Sequence, residues 1–119
     1  MQQFKERYLD TQTYANYATV EWDFAEMFYW FSNLDRNSIS KEIKLLPYKQ
    51  FTNCLYWNII ATFIKKMKEN KCEECGSQQK IHVHHHDYSI LGAEFYNLHK
   101  LKVLCSECHG KKHGIRRDK

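Results

Sequence analysis

Apolar residues recur along this chain with two different periods, and the change of period divides it. In "YATVEWDFAEMFYWFSNL", residues 17–34, Val20, Phe24, Met27, Phe31 and Leu34 follow one another at steps of four and three, with Phe28 beside them. That spacing predicts one face of a helix. Trp22, Tyr29 and Trp30 lie off the stripe, so the helix is apolar around more than half its circumference and needs cover on two sides. Core packing accounts for this, as does a docking face for a partner protein or a second copy of the chain. "NLDRNSIS" reads as a turn, and Pro47 suits the first turn of a further helix, where its missing N–H has no partner to lose. From there Phe51, Leu55, Ile59, Phe63 and Met67 recur every four residues, joined by Tyr56, Ile60 and Ile64. This predicts a second amphipathic helix whose end carries Lys65, Lys66 and Lys68, cations favoured by the macrodipole and equally able to touch phosphates.

From Lys71 onward the chain is polar, short in period and rich in Cys and His. Ile81, His82, Val83 and His84 alternate as in a half-buried strand, with the two aliphatics facing inward. The pattern implies α+β architecture in three segments: an acidic, aromatic helical arm over 1–47, a helix over 48–71, and a Cys/His module over 72–119.

At 119 residues and 43% apolar side chains, one compact domain with an arm is expected. No apolar run is long enough to span a bilayer, and the N-terminus lacks the layout of a secretory signal, so a cytoplasmic protein with no membrane partner is expected. Net charge is +4, but residues 1–40 hold three Lys/Arg against six Asp/Glu. The remainder carries the positive excess, which favours a polyanionic partner.

Four of the five cysteines form two C-x-x-C pairs, Cys72/Cys75 and Cys105/Cys108. Two such knuckles supply the four thiolates of a tetrahedral structural Zn²⁺ site, closed to substrate. Gly76, directly after the first knuckle, suits a tight turn beside the sulfurs. Cys54 lies in an apolar run and reads as a small buried hydrophobe.

The histidines require a second site. His84 and His85 are adjacent, and His109 and His113 stand four apart on a short helix that Ser106 can cap and Gly114 can close. Because Cys108 adjoins His109, the zinc frame also fixes where His109 stands relative to His84.

"CEECG…IHVHHHDYSILGAEF…LKVLCSECHGKKH" resembles the HNH endonucleases of the His-Me finger (ββα-metal) class, in the subgroup braced by two C-x-x-C knuckles. A weaker similarity reaches back to the aromatic "YKQFTNCLYW" from Tyr48, and residues 1–47 lie outside it. The resemblance implies a helical region followed by a zinc-stapled ββα-metal module that hydrolyses DNA, in a nuclease of phage, mobile-element or defence type. It assigns His84 and His109 as ligands of a catalytic Mg²⁺, Mn²⁺, Ni²⁺ or Zn²⁺, His113 as a third candidate ligand, and His85 as general base, leaving 5′-phosphate and 3′-hydroxyl ends. The family usually has Asn or Asp five residues before the third cysteine, bracing the catalytic loop; this chain has Lys100, with Asn97 three residues out of register.

A base near neutral pH and a cation facing the phosphate are what phosphodiester hydrolysis requires. Lys100, Lys102, Lys111, Lys112, Arg116 and Arg117 surround the site in sequence and suit flanking phosphates. His82, His86 and His99 are accessory, and Asp87 is a candidate to orient a histidine. The competing reading, which Lys100 supports, is a catalytically inactive zinc module that binds nucleic acid or docks in a larger complex.

Overall fold

The computed structural model describes residues 2–85 and 94–108. A short helix α1 (Gln2–Phe4) runs into a π-helical turn over Lys5–Leu9. An extended stretch and a 3-10 turn (Tyr17–Thr19) lead to α2 (Val20–Ser32), followed by α3 (Arg36–Lys44), α4 (Tyr48–Asn53) and α5 (Leu55–Met67). Two strands, β1 (Ile81–His85) and β2 (Leu101–Cys105), form an antiparallel pair. The fold is therefore α+β, as the two periods require. Among the described residues no helix is long and apolar enough to cross a membrane.

The predicted stripe on α2 is buried at Val20, Met27 and Phe31 and partly buried at Phe24 and Leu34. Cover on the second side is incomplete. Trp30 packs against Phe4 and Tyr8, with centroids 6.4 and 6.1 Å away, while Trp22, Phe28 and Tyr29 remain exposed.

Two expectations about helices need correction. "DRNS" is not a plain turn: Asp35 stands at the N-cap of α3, accepting from the Ser38 N–H at 2.9 Å and the Ser38 hydroxyl at 3.0 Å. Residues that favour turns also favour caps, because both depend on a side-chain oxygen satisfying a nearby N–H. The second amphipathic helix is two helices, with Pro47 at the N-cap of α4 and a break at Cys54. Cys54 is extended (φ −83°, ψ 159°), forms an antiparallel bridge with Thr11, and lies next to a Gln12 N–H to Asn53 C=O bond of 3.0 Å. Met67, at the far end of the run, is exposed.

One core draws on all three sequence segments. Phe4, Tyr8 and Leu9 share it with Met27, Phe31 and Ile43, with Tyr56, Ile59 and Ile60, and with Phe95, Leu101 and Val103. Its centre is aromatic: Phe31 lies 5.5 Å from Phe4, 5.9 Å from Tyr56 and 4.4 Å from Phe95, and Phe24 stacks between Phe63 (4.1 Å) and Phe95 (4.8 Å). Each such pair contributes about 0.5–1.5 kcal/mol beyond its buried area. α5 crosses this cluster and supports the hairpin.

Cys54 is fully buried, and burial pushes its thiol up to about 11 although the N–H groups of Trp57 and Tyr56 pull it down. The folded state thus prefers the neutral thiol. That contribution is complete below the ordinary thiol value of 9.0 and is lost as pH rises toward 11. Denaturant titrations of zinc-loaded protein between pH 8 and 11.5 are expected to show Cys54→Ala losing less stability than wild type, by about 3 kcal/mol over the interval. Parallel curves would show that this thiol does not titrate with folding.

Candidate metal centre and histidine site

The first knuckle forms because the chain reverses directly after α5. Glu69 and Asn70 take left-handed conformations (φ 60° and 56°) that end the helix, and the Asn70 N–H returns to the Lys65 carbonyl at 2.7 Å. Gly76, at φ 80°, closes the knuckle with its N–H 2.9 Å from the Cys72 carbonyl, and Cys72 N–H donates to Ser77 O at 2.8 Å. A side chain at 76 would be strained by that φ alone.

The second knuckle begins on the last residue of β2. Cys108 N–H points to Cys105 Sγ at 3.5 Å, so the sulfur takes the capping place expected of Ser106. The Ser106 hydroxyl instead bonds the Lys80 carbonyl (3.3 Å) and pairs with His82 Nε2 (3.2 Å). His82 is exposed.

Sequence reasoning missed what joins the knuckles. Glu73 N–H donates to Val103 O at 2.9 Å, and Val103 N–H donates to the Glu73 carboxylate at 2.8 Å. The first knuckle is thereby clamped to β2, with Lys68–Glu73 (3.4 Å) and Lys102–Glu74 (3.2 Å) outside it.

The Sγ atoms of Cys72, Cys75, Cys105 and Cys108 all lie within 4.8 Å of one another. Cys75 and Cys105 sulfurs are 3.6 Å apart, far from disulfide length and close to the edge of about 3.8 Å implied by Zn–S bonds of about 2.3 Å in a tetrahedron. Burial opposes ionisation of Cys72, but the N–H groups of Cys105, Cys75 and Glu74 outweigh it and bring the thiol down to about 6. Cys108 is pushed up to about 12 by burial and by its three thiol neighbours. One thiolate forms readily, and further ionisation needs a cation to offset the like charges. The donor set thus fits a structural ion such as Zn²⁺, and Leu104 and Ile81 pack around it.

The hairpin carries this frame to the histidines. In its register Ile81 faces Cys105, Val83 faces Val103 and His85 faces Leu101. Four residues of strand separate His85 from the zinc end, about 13 Å. Both His84 and His85 are buried, at 8% exposure. Adjacent positions on a pleated strand send them to opposite faces, so the strand itself does not bring their rings together.

What His85 meets is a set of partners that the sequence reading did not name. Its Nε2 lies 2.8 Å from Oε2 of Glu94, whose side chain is fully buried, and the other carboxylate oxygen accepts from Tyr56 O–H at 2.8 Å. Trp57 stacks on the imidazole, with centroids 5.0 Å apart and planes at 15°; Phe51 lies 6.4 Å away. Burial raises the Tyr56 phenol well above its ordinary value, and the Glu94 charge adds to the effect, so the phenol keeps its proton and donates. With that donor fixed on one oxygen, the other carboxylate oxygen is left within hydrogen-bond distance of His85 Nε2. An acidic residue inside apolar "GAEFY" was the available signal.

Among the described residues, the loop holding Glu94 contains two 3-10 turns, Glu94–Tyr96 and Leu98–Lys100, joined at Asn97. Asn97 N–H donates to Glu94 O (3.0 Å) and Lys100 N–H to Asn97 O (2.9 Å). Asn97 thus organises the turn through its backbone despite being out of register. His99 is exposed, while Lys100 and Lys102 are half-buried. His86, Asp87, His109, Lys111, Lys112, His113, Gly114, Arg116 and Arg117 lie outside the described residues.

Comparison of the chain with protein-family models, with curated proteins and with solved structures gives no match.

Purified protein is expected to carry one zinc per chain through the four thiols. Cys105→Ser should abolish retained zinc, and stripping wild type with a chelator should expose the amide protons of β1 and β2 to rapid exchange, while Cys54→Ala keeps both metal and protection. Binding energies of order 10 kcal/mol make the loss large. Full zinc in Cys105→Ser would show that the cluster is not the site.

Proposed function

We propose that the chain is a metal-dependent DNA endonuclease of the HNH type, with His85 as the base. The observation that supports this reading is the buried His85–Glu94–Tyr56 chain: a carboxylate fixes the imidazole through Nε2, and the hairpin that carries the imidazole is stapled by a four-thiol site. Lone basic histidines on surfaces lack such support. A residue that must accept a proton in one direction requires it.

In this reading Nδ1 of His85 takes the proton of the attacking water, Glu94 holds the ring in that tautomer and stabilises the imidazolium formed, and Tyr56 holds Glu94. His84 and His109, with His113 as a further ligand, would hold a divalent cation, which would supply charge neutralisation at the phosphate and the departing oxygen. Trp57 sets the plane of the ring by stacking. Lys100 and Lys102, together with Lys111, Lys112, Arg116 and Arg117, hold flanking phosphates without reading bases.

The other reading, a zinc module that binds nucleic acid without cutting it, is favoured by Lys100 at the position where the family has its brace. Supercoiled plasmid with Mg²⁺ or Mn²⁺ separates the two. Nicking or linearisation should fall by about 10²–10⁴-fold in His85→Ala, with zinc content and DNA retention unchanged. No cutting by wild type, or equal cutting by both proteins, sinks the nuclease reading.

Glu94 has a separate signature. Glu94→Gln preserves shape and can still accept from Tyr56, but it removes the charge facing the imidazolium. The turnover rate should drop more than tenfold with little change in substrate half-saturation, and the rate should shift its pH dependence. A purely structural Glu94 would lower thermal stability and leave the pH profile of the remaining activity in place.

A further inference from the structure

Helix α2 has a second stripe, opposite the buried one, that the proposed chemistry does not use. At 3.6 residues per turn, Trp22, Ala25, Tyr29 and Ser32 share one face at steps of three, four and three, with Phe28 on its flank. All five are exposed; Trp22, Phe28 and Tyr29 expose 78%, 56% and 68% of their residue surface. Phe28 is fixed from below by Phe95, 5.9 Å away.

We propose that this stripe is a homodimer interface in which α2 packs antiparallel against α2 of a second copy about a two-fold axis. The order of large and small residues selects that occupant. With the axis at the level of residue 27, Trp22 faces Ser32 of the other copy and Tyr29 faces Ala25, so these two large rings each meet a small side chain, twice by symmetry, while Phe28 lies toward Glu26 at the flank. A parallel pairing would set ring against ring and leave voids at the small positions.

Charge also argues for a second copy over a basic partner. The acidic groups of α2 are already engaged within the chain: Glu21 with Lys66 at 3.1 Å, Glu26 with Arg7 at 2.8 Å, and Asp23 with the Tyr14 hydroxyl at 2.5 Å. Glu21, which shares the ridge of Ala25 and Phe28 at the N-terminal end of the stripe, is drawn aside by its pair with Lys66. The three rings at these exposures offer on the order of 400 Å² per chain. Full burial of these rings in both copies would remove about twice that, so that only a modest flanking contribution would bring the total to the roughly 1,000 Å² of a specific contact.

Sedimentation equilibrium of the full zinc-loaded chain, from 1 to 200 µM, tests this. The expected result is a monomer–dimer equilibrium that Trp22→Glu and Tyr29→Glu weaken by at least about thirtyfold while the far-UV spectrum and thermal midpoint stay in place. Tyr29→Ser guards against a glutamate that disturbs the helix and should weaken association in the same direction. Ala25→Trp tests the register, since it fills the space that Tyr29 of the other copy needs, and should weaken association as well. A monomer throughout the range, or a dimer indifferent to the changes at 22 and 29, overturns the proposal. A dimer indifferent to Ala25→Trp overturns the antiparallel arrangement. None of these readouts depends on nuclease activity.

Discussion

The pairing of β1 with β2 is the constraint on which the rest of this structure depends. Its register puts Ile81 beside Cys105 at one end and His85 beside Leu101 at the other, so two sites of different chemistry share one short ruler. A slip of one residue would exchange the faces of the strand, turning His85 away from Trp57 and Glu94 and bringing His84 toward them. Two strands of five residues are marginal alone in water. Register is held here from outside: Glu73 clamps β2 from the first knuckle, four sulfurs gather at the zinc end, and Leu101 and Val103 enter the main core.

The histidine end depends on how α5 begins. Tyr56 and Trp57 are consecutive, about 100° apart on the helix, and can address Glu94 and His85 separately only when the first turn of α5 faces the end of the hairpin. The extended Cys54 sets that start, and the Thr11 bridge fixes Cys54. The N-terminal segment, which the family resemblance does not reach, therefore shapes the histidine environment through the backbone. Phe95, stacked on Phe24 and Phe31 of α2, does the same for the loop that carries Glu94.

Local signals were legible in the sequence, and long-range ones were not. The C-x-x-C pairs, the strand at 81–85 and the stripe on α2 each arise from neighbours within a few residues and appear where their spacing implies, but the inside–outside alternation of the strand fails at His84, which is buried while Ile81 and Val83 are only partly so. The break at Cys54 is invisible to periodicity because Phe51, Leu55 and Ile59 keep their four-residue steps across it; the extended Cys54 is paired there with Thr11, more than forty positions away. Asp35 could be taken for turn or cap, since one physical property serves both. Tyr56 and Glu94 are 38 positions apart, and only the folded core brings a phenol and a carboxylate together there. Glu73 looked like an ordinary surface acid between two cysteines until β2 supplied its partner.

Stability alone is a poor account of Glu94. Burying a carboxylate costs several kcal/mol, and an imidazole with a phenol recovers little more than that; apolar side chains of similar size often stabilise as well or better. The surroundings already supply such side chains in Phe31, Phe51, Trp57 and Phe95, so an apolar residue at 94 would join the cluster without a desolvation penalty. A carboxylate in that place does something a leucine cannot, which is to hold the imidazole by a hydrogen bond at Nε2 and fix its orientation. Its full burial strengthens that coupling, because water does not screen it. The same argument distinguishes the two sites of the hairpin. At the sulfur end four thiols gather within 4.8 Å of one another in a set that fits a structural ion, whereas at the histidine end one buried carboxylate is shared between an imidazole and a phenol.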